Sequence, residues 1–61
     1  MERLVGMYAT NAHILLMLDG WHLETSSLNS SVIFNVYKRD TEKLVLLIDK
    51  ATHNIGEVAL Q

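Results

Sequence analysis

The chain has 61 residues, enough for one small domain (1–61) and no more. It has no cysteine, so disulfides, thiolate metal sites and a cysteine nucleophile are excluded. Five Lys and Arg against seven Asp and Glu give a net charge of −2, so no overall positive field draws in nucleic acid or an anionic membrane.

In chain order, Leu4 to Ala9 reads as a strand leading into a turn at Thr10-Asn11. Asp19-Gly20 lies between His13–Leu18 and Trp21–Thr25. An Asp-Gly pair flanked by apolar residues is a two-residue hairpin signal, because both turn positions need a residue that tolerates positive φ. That register pairs Leu18 with Trp21 and Leu16 with Leu23. The alternative is a short helix at about 12–19, capped by Asn11 and stopped by Gly20. Ser26–Ser31 reads as a loop, and Trp21 as a core residue.

The second half reads as a meander. Val32–Tyr37 is β-branched and aromatic, Lys38–Lys43 is a polar turn, and Leu44–Ile48 is a continuous apolar run. Asp49–Asn54 forms a second polar turn before a last strand over Ile55–Leu60. Pairing Lys38 with Lys43 sets Val36 beside Val45 and Phe34 beside Leu47. Ile33, Tyr37, Leu44, Leu46 and Ile48 fall on the opposite face, since side chains alternate along a strand. Both faces are therefore apolar. One covers the domain core, and the other has to meet the first half of the chain or another subunit. The fold class expected is mostly β, a small antiparallel meander or partly open barrel of five to six short strands, with an α+β alternative carrying the helix at about 12–19.

No chemistry-bearing constellation stands out. His13 and His22 share a face of the proposed hairpin but lie roughly 13 Å apart at ~3.3 Å per residue, too far to hold one metal. His53 falls in a turn. Asp19, Glu24, Asp40, Glu42, Asp49 and Glu57 sit mostly at turns or strand ends, where carboxylates are common for structural reasons. Gly6, Gly20 and Gly56 are too scattered to cradle a phosphate, and no nucleophile elbow surrounds Ser26, Ser27, Ser30 or Ser31. No cofactor and no catalytic site are expected. No apolar run is longer than that of Ile14–Leu18, which is far short of the ~20 residues of a membrane span. With no signal peptide and no cysteine, a cytoplasmic protein without membrane association is expected, Met1 favouring a whole gene product over an excised piece.

Two local resemblances exist. Phe34–Ile55, with its strand, polar turn, apolar strand and Asp-x-x-Thr turn, resembles the sheet of FlaG-type flagellar proteins over less than half the chain, without that family's usual ending and helix. Ile14–Glu24 is similar to the Asp-Gly hairpin of Sm-like RNA-binding proteins, although Thr25 stands where a glycine is usual. Each describes a local shape and not a family.

The hydrophobic share, 49%, is high for so short a chain and suits a core plus an interface. The expected function is a small non-catalytic protein-interaction module, a homo-oligomer with accessory, regulatory or inhibitory work, partnered by itself and by an unknown protein. Its candidate interface is Ile33, Tyr37, Leu44, Leu46 and Ile48. The alternative is a small β-rich binder of RNA or single-stranded DNA through Tyr37, Lys38, Arg39, Lys43 and Lys50, since four of the five basic residues lie between positions 38 and 50.

Overall fold

A computed structural model describes residues 2–61. A 3₁₀ turn (Glu2–Leu4) and one α-helix, α1 (Ala9–Leu18), precede four strands: β1 (His22–Asn29), β2 (Val32–Arg39), β3 (Glu42–Asp49) and β4 (Ile55–Leu60). The strands form one antiparallel sheet in the order β1-β2-β3-β4. The sheet is open, with β1 and β4 as its edges. The fold is thus mostly β with one short helix, and four strands stand in place of the five to six expected.

The correction lies in the first half of the chain. Asp19-Gly20 ends a helix instead of turning a hairpin. Trp21 N–H donates to the Leu16 carbonyl (2.9 Å) and Gly20 N–H to the Met17 carbonyl (3.1 Å), with Gly20 at φ +87°. That is a Schellman stop, and it uses the positive φ that Gly adopts without steric cost. The same dipeptide serves either turn. What decides between them is the segment before it, where Ala9, Ala12, Leu15, Leu16, Met17 and Leu18 are all strong helix formers. The helix starts earlier than position 12, on Tyr8, whose side chain makes no capping hydrogen bond.

The start of α1 is held from outside. Ala9 N–H donates to the His53 carbonyl (2.8 Å), while Gly6 N–H reaches the Ile55 carbonyl (2.6 Å) and Ile55 N–H reaches the Met7 carbonyl (2.9 Å). These bonds pin the segment expected as a strand over Leu4–Ala9 to the β3–β4 turn, leaving only an isolated bridge between Tyr8 and Asn54.

The region expected as a loop, Ser26–Ser31, is mostly strand. β1 continues to Asn29, and Ser30-Ser31 make the tight turn into β2 with Ser30 at φ 55°. Serine-rich composition suits a strand here because every β1 residue is exposed. The second half follows the expected register: Lys38 opposes Lys43, Val36 opposes Val45, and Phe34 opposes Leu47. Asp49 Oδ1 accepts from Ala51 N–H (2.8 Å) and Thr52 N–H (3.3 Å), which shapes the turn before β4.

Helix α1 lies on one face of the sheet. Ala12 and Leu16, four residues apart and so on one helix face, join Leu4, Trp21, Tyr37, Leu44, Leu46, Ile48 and Ile55 in a single core. Trp21 is 1% exposed, as its reading as a core residue requires. Its Nε1–H has no acceptor among the described residues. The Arg39 guanidinium lies over the indole at 4.4 Å and is held by Asp19 (2.8 Å) and Glu42 (3.1 Å), closing that end of the core.

Candidate interaction surface

The sheet alternation fixes two faces with different fates. On the helix side lie Tyr37 and Leu44, paired across β2 and β3, with Leu46 and Ile48 further along. Tyr37, Leu44 and Leu46 have no exposed surface and Ile48 has 2%, while Ile33 is half-buried against the same cluster. The five candidate interface residues are therefore brought together, but beneath this chain's own helix, where they form its core.

The other face has no cover among the described residues. All apolar elements outside the sheet, Leu4 and α1, pack on the helix side. What remains is built in rows across the strands. Thr25, Val36, Val45 and Ala59 make one row; Ser27, Phe34, Leu47 and Glu57 make the next. Beyond the first row lie His22, Lys38, Lys43 and Gln61, the last two exchanging backbone hydrogen bonds. Beyond the second lie Asn29, Val32 and Asp49. Val32, Phe34, Val36, Val45, Leu47 and Ala59 are half-buried, shielded only by one another and by the flanking long side chains.

Lys38 and Lys43 mark one end of this face and Asp49 the other, with Glu57 at the β4 edge of the Phe34–Leu47 row. Lys43 Nζ approaches Glu24 at 3.4 Å, a pair largely in solvent. Lys38 takes part in no ion pair among the described residues. A shallow depression lined by His22, Glu24, Lys38 and Asp40 opens at the basic end.

The residues weighed for nucleic-acid contact do not converge. Tyr37 is buried, its hydroxyl 2.7 Å from His13 Nδ1, so its ring offers no stacking surface. Burial raises the Tyr37 phenol above its ordinary value of 10.0, a hydrogen bond with Asn35 opposing this in part. Arg39 is on the helix side, where its hydrogen bond with Glu42, and Asp19 beside it, hold the guanidinium more firmly protonated. Lys38 and Lys43 lie on the open face, and Lys50 lies in the turn after β3.

The histidines are dispersed: His13 on α1, His22 at the start of β1, and His53 in the β3–β4 turn at φ 63°, stacked on Tyr8 with ring centres 6.2 Å apart. Among the described residues no three His, Asp or Glu side chains group as metal ligands. No helix among them is long and apolar enough to cross a membrane.

A second apolar surface was not expected from the sequence. Ile14, Leu15, Met17 and Leu18 are exposed on α1, Leu18 at 81%. The signal was present in the apolar residues that circle Ala12–Leu18, which a ten-residue helix on one sheet cannot all bury.

No protein-family model, curated protein or solved structure matches the chain.

Proposed function

We propose that this chain is a small non-catalytic protein-interaction module that works as a homo-oligomer. The observation that supports the reading is the open sheet face, where six apolar side chains lie together with none of the described residues outside the sheet to cover them. Contiguous apolar surface between polar rims is the usual mark of a protein contact. A domain of this size also buries only about 60% of its unfolded surface, so it gains from a partner subunit. An accessory, regulatory or inhibitory role fits a module that offers a surface and no reactive group.

Sedimentation equilibrium from about 1 μM to about 1 mM tests the reading, a span that brackets weak and moderate association. The expected result is a mass that rises above the 6.9 kDa of one chain as concentration increases. A mass that stays at one chain throughout would overturn the homo-oligomer.

A further inference from the structure

We propose that two copies of this chain stack open face to open face about a two-fold axis that runs across the strands, so that the Lys38–Lys43 end of each sheet covers the Asp49 end of the other. This deepens the oligomer reading above and rests on it.

The self-match follows from the row order. An in-plane two-fold axis set between the Val36–Val45 row and the Phe34–Leu47 row exchanges these two rows, placing Val36 over Phe34 and Val45 over Leu47 at the centre and Glu57 over Ala59 at the β4 edge. It sets the hydroxyl-bearing Thr25 and Ser27 of the two β1 edges against each other. It brings Lys43 of one copy over Asp49 of the other, with Glu57 on the neighbouring strand, and does so twice by symmetry. Aligned sheets cross at about 30°, a rotation small enough to keep each charged end over its opposite.

The charge pattern selects this arrangement over its rival. Face-to-face stacking permits one other in-plane two-fold axis, parallel to the strands. Set between β2 and β3, that axis would lay Lys38 of each copy over Lys43 of the other, twice by symmetry, and leave Asp49 over Val32. Like charges at close range are costly, so the axis across the strands is favoured. Lys38 adds to the selection, having no ion-pair partner among the described residues.

The size of the face sets the strength. Four strands ~4.8 Å apart and six residues of length at ~3.3 Å give roughly 450 Å² per copy once side chains are included. The pair buries about 900 Å², below the ~1,200–2,000 Å² of stable complexes, so the dimer is reversible and concentration-dependent.

The test uses paired charge variants on the full chain. Lys38→Glu with Lys43→Glu makes both ends of the face acidic. Asp49→Asn with Glu57→Lys removes the acidic end, and the new amide keeps an oxygen to accept from Ala51 and Thr52. Each variant alone is expected to dimerise at least about tenfold more weakly than the parent chain, since like ends then meet. An equimolar mixture of the two is expected to associate one-to-one, more tightly than either alone. Circular dichroism melts establish that each variant is folded. Should one fail to fold, the parent chain supplies the decision: raising NaCl from about 20 mM to about 500 mM shortens the screening length and is expected to weaken the dimer several-fold. A parent dimer insensitive to salt, or variants that associate no better mixed than alone, would overturn the stacking, while leaving self-association through the β1 edge or the α1 surface in place. A parent chain that stays monomeric would instead remove the oligomer reading itself.

Discussion

Leu46 and Leu47 are neighbours in one strand, yet they live in different surroundings. Leu46 points beneath α1 and has no exposed surface; Leu47 points to the open face and is half-buried. The same contrast runs along the sheet, with Tyr37, Leu44 and Ile48 on one side and Val36, Val45 and Phe34 on the other. The difference lies in the cover and not in side-chain chemistry. A sheet with two apolar faces and one helix leaves one face for something outside the chain, and the energetic cost of a substitution reports which face it touches.

The largest effect is expected at Leu46. Leu46→Glu puts a carboxylate where no partner reaches it, and the chain is expected to lose its far-UV circular dichroism signature of folding. Leu46→Ala removes the charge problem and still leaves a cavity, at a cost of about 2–5 kcal/mol. A domain of this length is stable by only ~3–9 kcal/mol at ~0.05–0.15 kcal/mol per residue, so the change consumes much of it. Leu47→Ala, one position on, is expected to cost less, about 1 kcal/mol in urea unfolding of dilute protein, because Leu47 is only partly buried and water can fill the space it leaves. Equal costs at the two positions would mean that the open face is covered after all.

Next in size is the end of α1, the element that makes the two faces unequal. Gly20→Ala forces a Cβ onto a backbone at φ +87°, although the added carbon meets nothing nearer than Arg39 Cδ at 3.6 Å. Backbone strain of about 1–2 kcal/mol is expected, with little from packing. A Gly20→Asn variant is expected to recover part of it, since Asn enters the left-handed region more easily than Ala. Thermal melts of the two variants check the order.

The unequal legibility of the two halves of the chain has the same root. The β2–β3 register could be read because the polar stretch Lys38–Lys43, which turns at Asp40-Thr41, separates a β-branched and aromatic run from a continuous apolar one, and the alternation on either side of it admits one pairing. Asp19-Gly20 could not be read alone, because positive φ at a glycine serves a hairpin and a Schellman stop equally. Ser26 to Asn29 looked like a loop because an edge strand exposed on both faces has no need of apolar alternation. Which sheet face would be core was also hidden. Lys38 and Lys43 are in phase with Val36 and Val45, but Arg39 and Glu42 are in phase with Tyr37 and Leu44, so charge marks both faces as solvent-facing. Only the helix decides between them. Once the Ala- and Leu-rich segment is helical, it buries Tyr37 and leaves Val45 open, and the candidate interface moves to the other side of the sheet.

A smaller effect isolates the polar contact between helix and sheet. Tyr37→Phe removes the 2.7 Å hydrogen bond to His13 and is expected to cost about 0.5–1.5 kcal/mol. It also changes the alkaline limb of stability. Burial raises the phenol above its ordinary value of 10.0, so the folded state holds this proton more tightly than the unfolded one. The resulting stabilisation is complete below pH 10 and is lost as pH rises through the raised folded value. Urea titrations from about one pH unit below the ordinary phenol value to about two above it are expected to show a falling slope in the parent chain that is shallower in Tyr37→Phe. Identical slopes would show that the Tyr37 ring is more hydrated than the core around it.

The smallest effect is the most direct probe of what the open face meets. Val45→Thr keeps the β-branched shape and exchanges a methyl for a hydroxyl at the centre of that face, whereas Ile48→Thr places a hydroxyl in the dry core. At concentrations where the chain is monomeric, water satisfies the hydroxyl introduced at position 45, and a loss of ~0.5 kcal/mol or less is expected. When the chain is concentrated enough to associate, the same hydroxyl has to be desolvated between two sheets, and the dimer is expected to weaken about threefold to tenfold. The two conditions separate the roles of the two faces in a single variant. The helix side is costly to alter at any concentration, because its cover is part of the chain. The open side becomes costly only when a second copy supplies the cover. A Val45→Thr penalty that does not change with concentration would mean that this face works as a monomer's surface, and that the apolar residues exposed on α1 carry whatever association the chain shows.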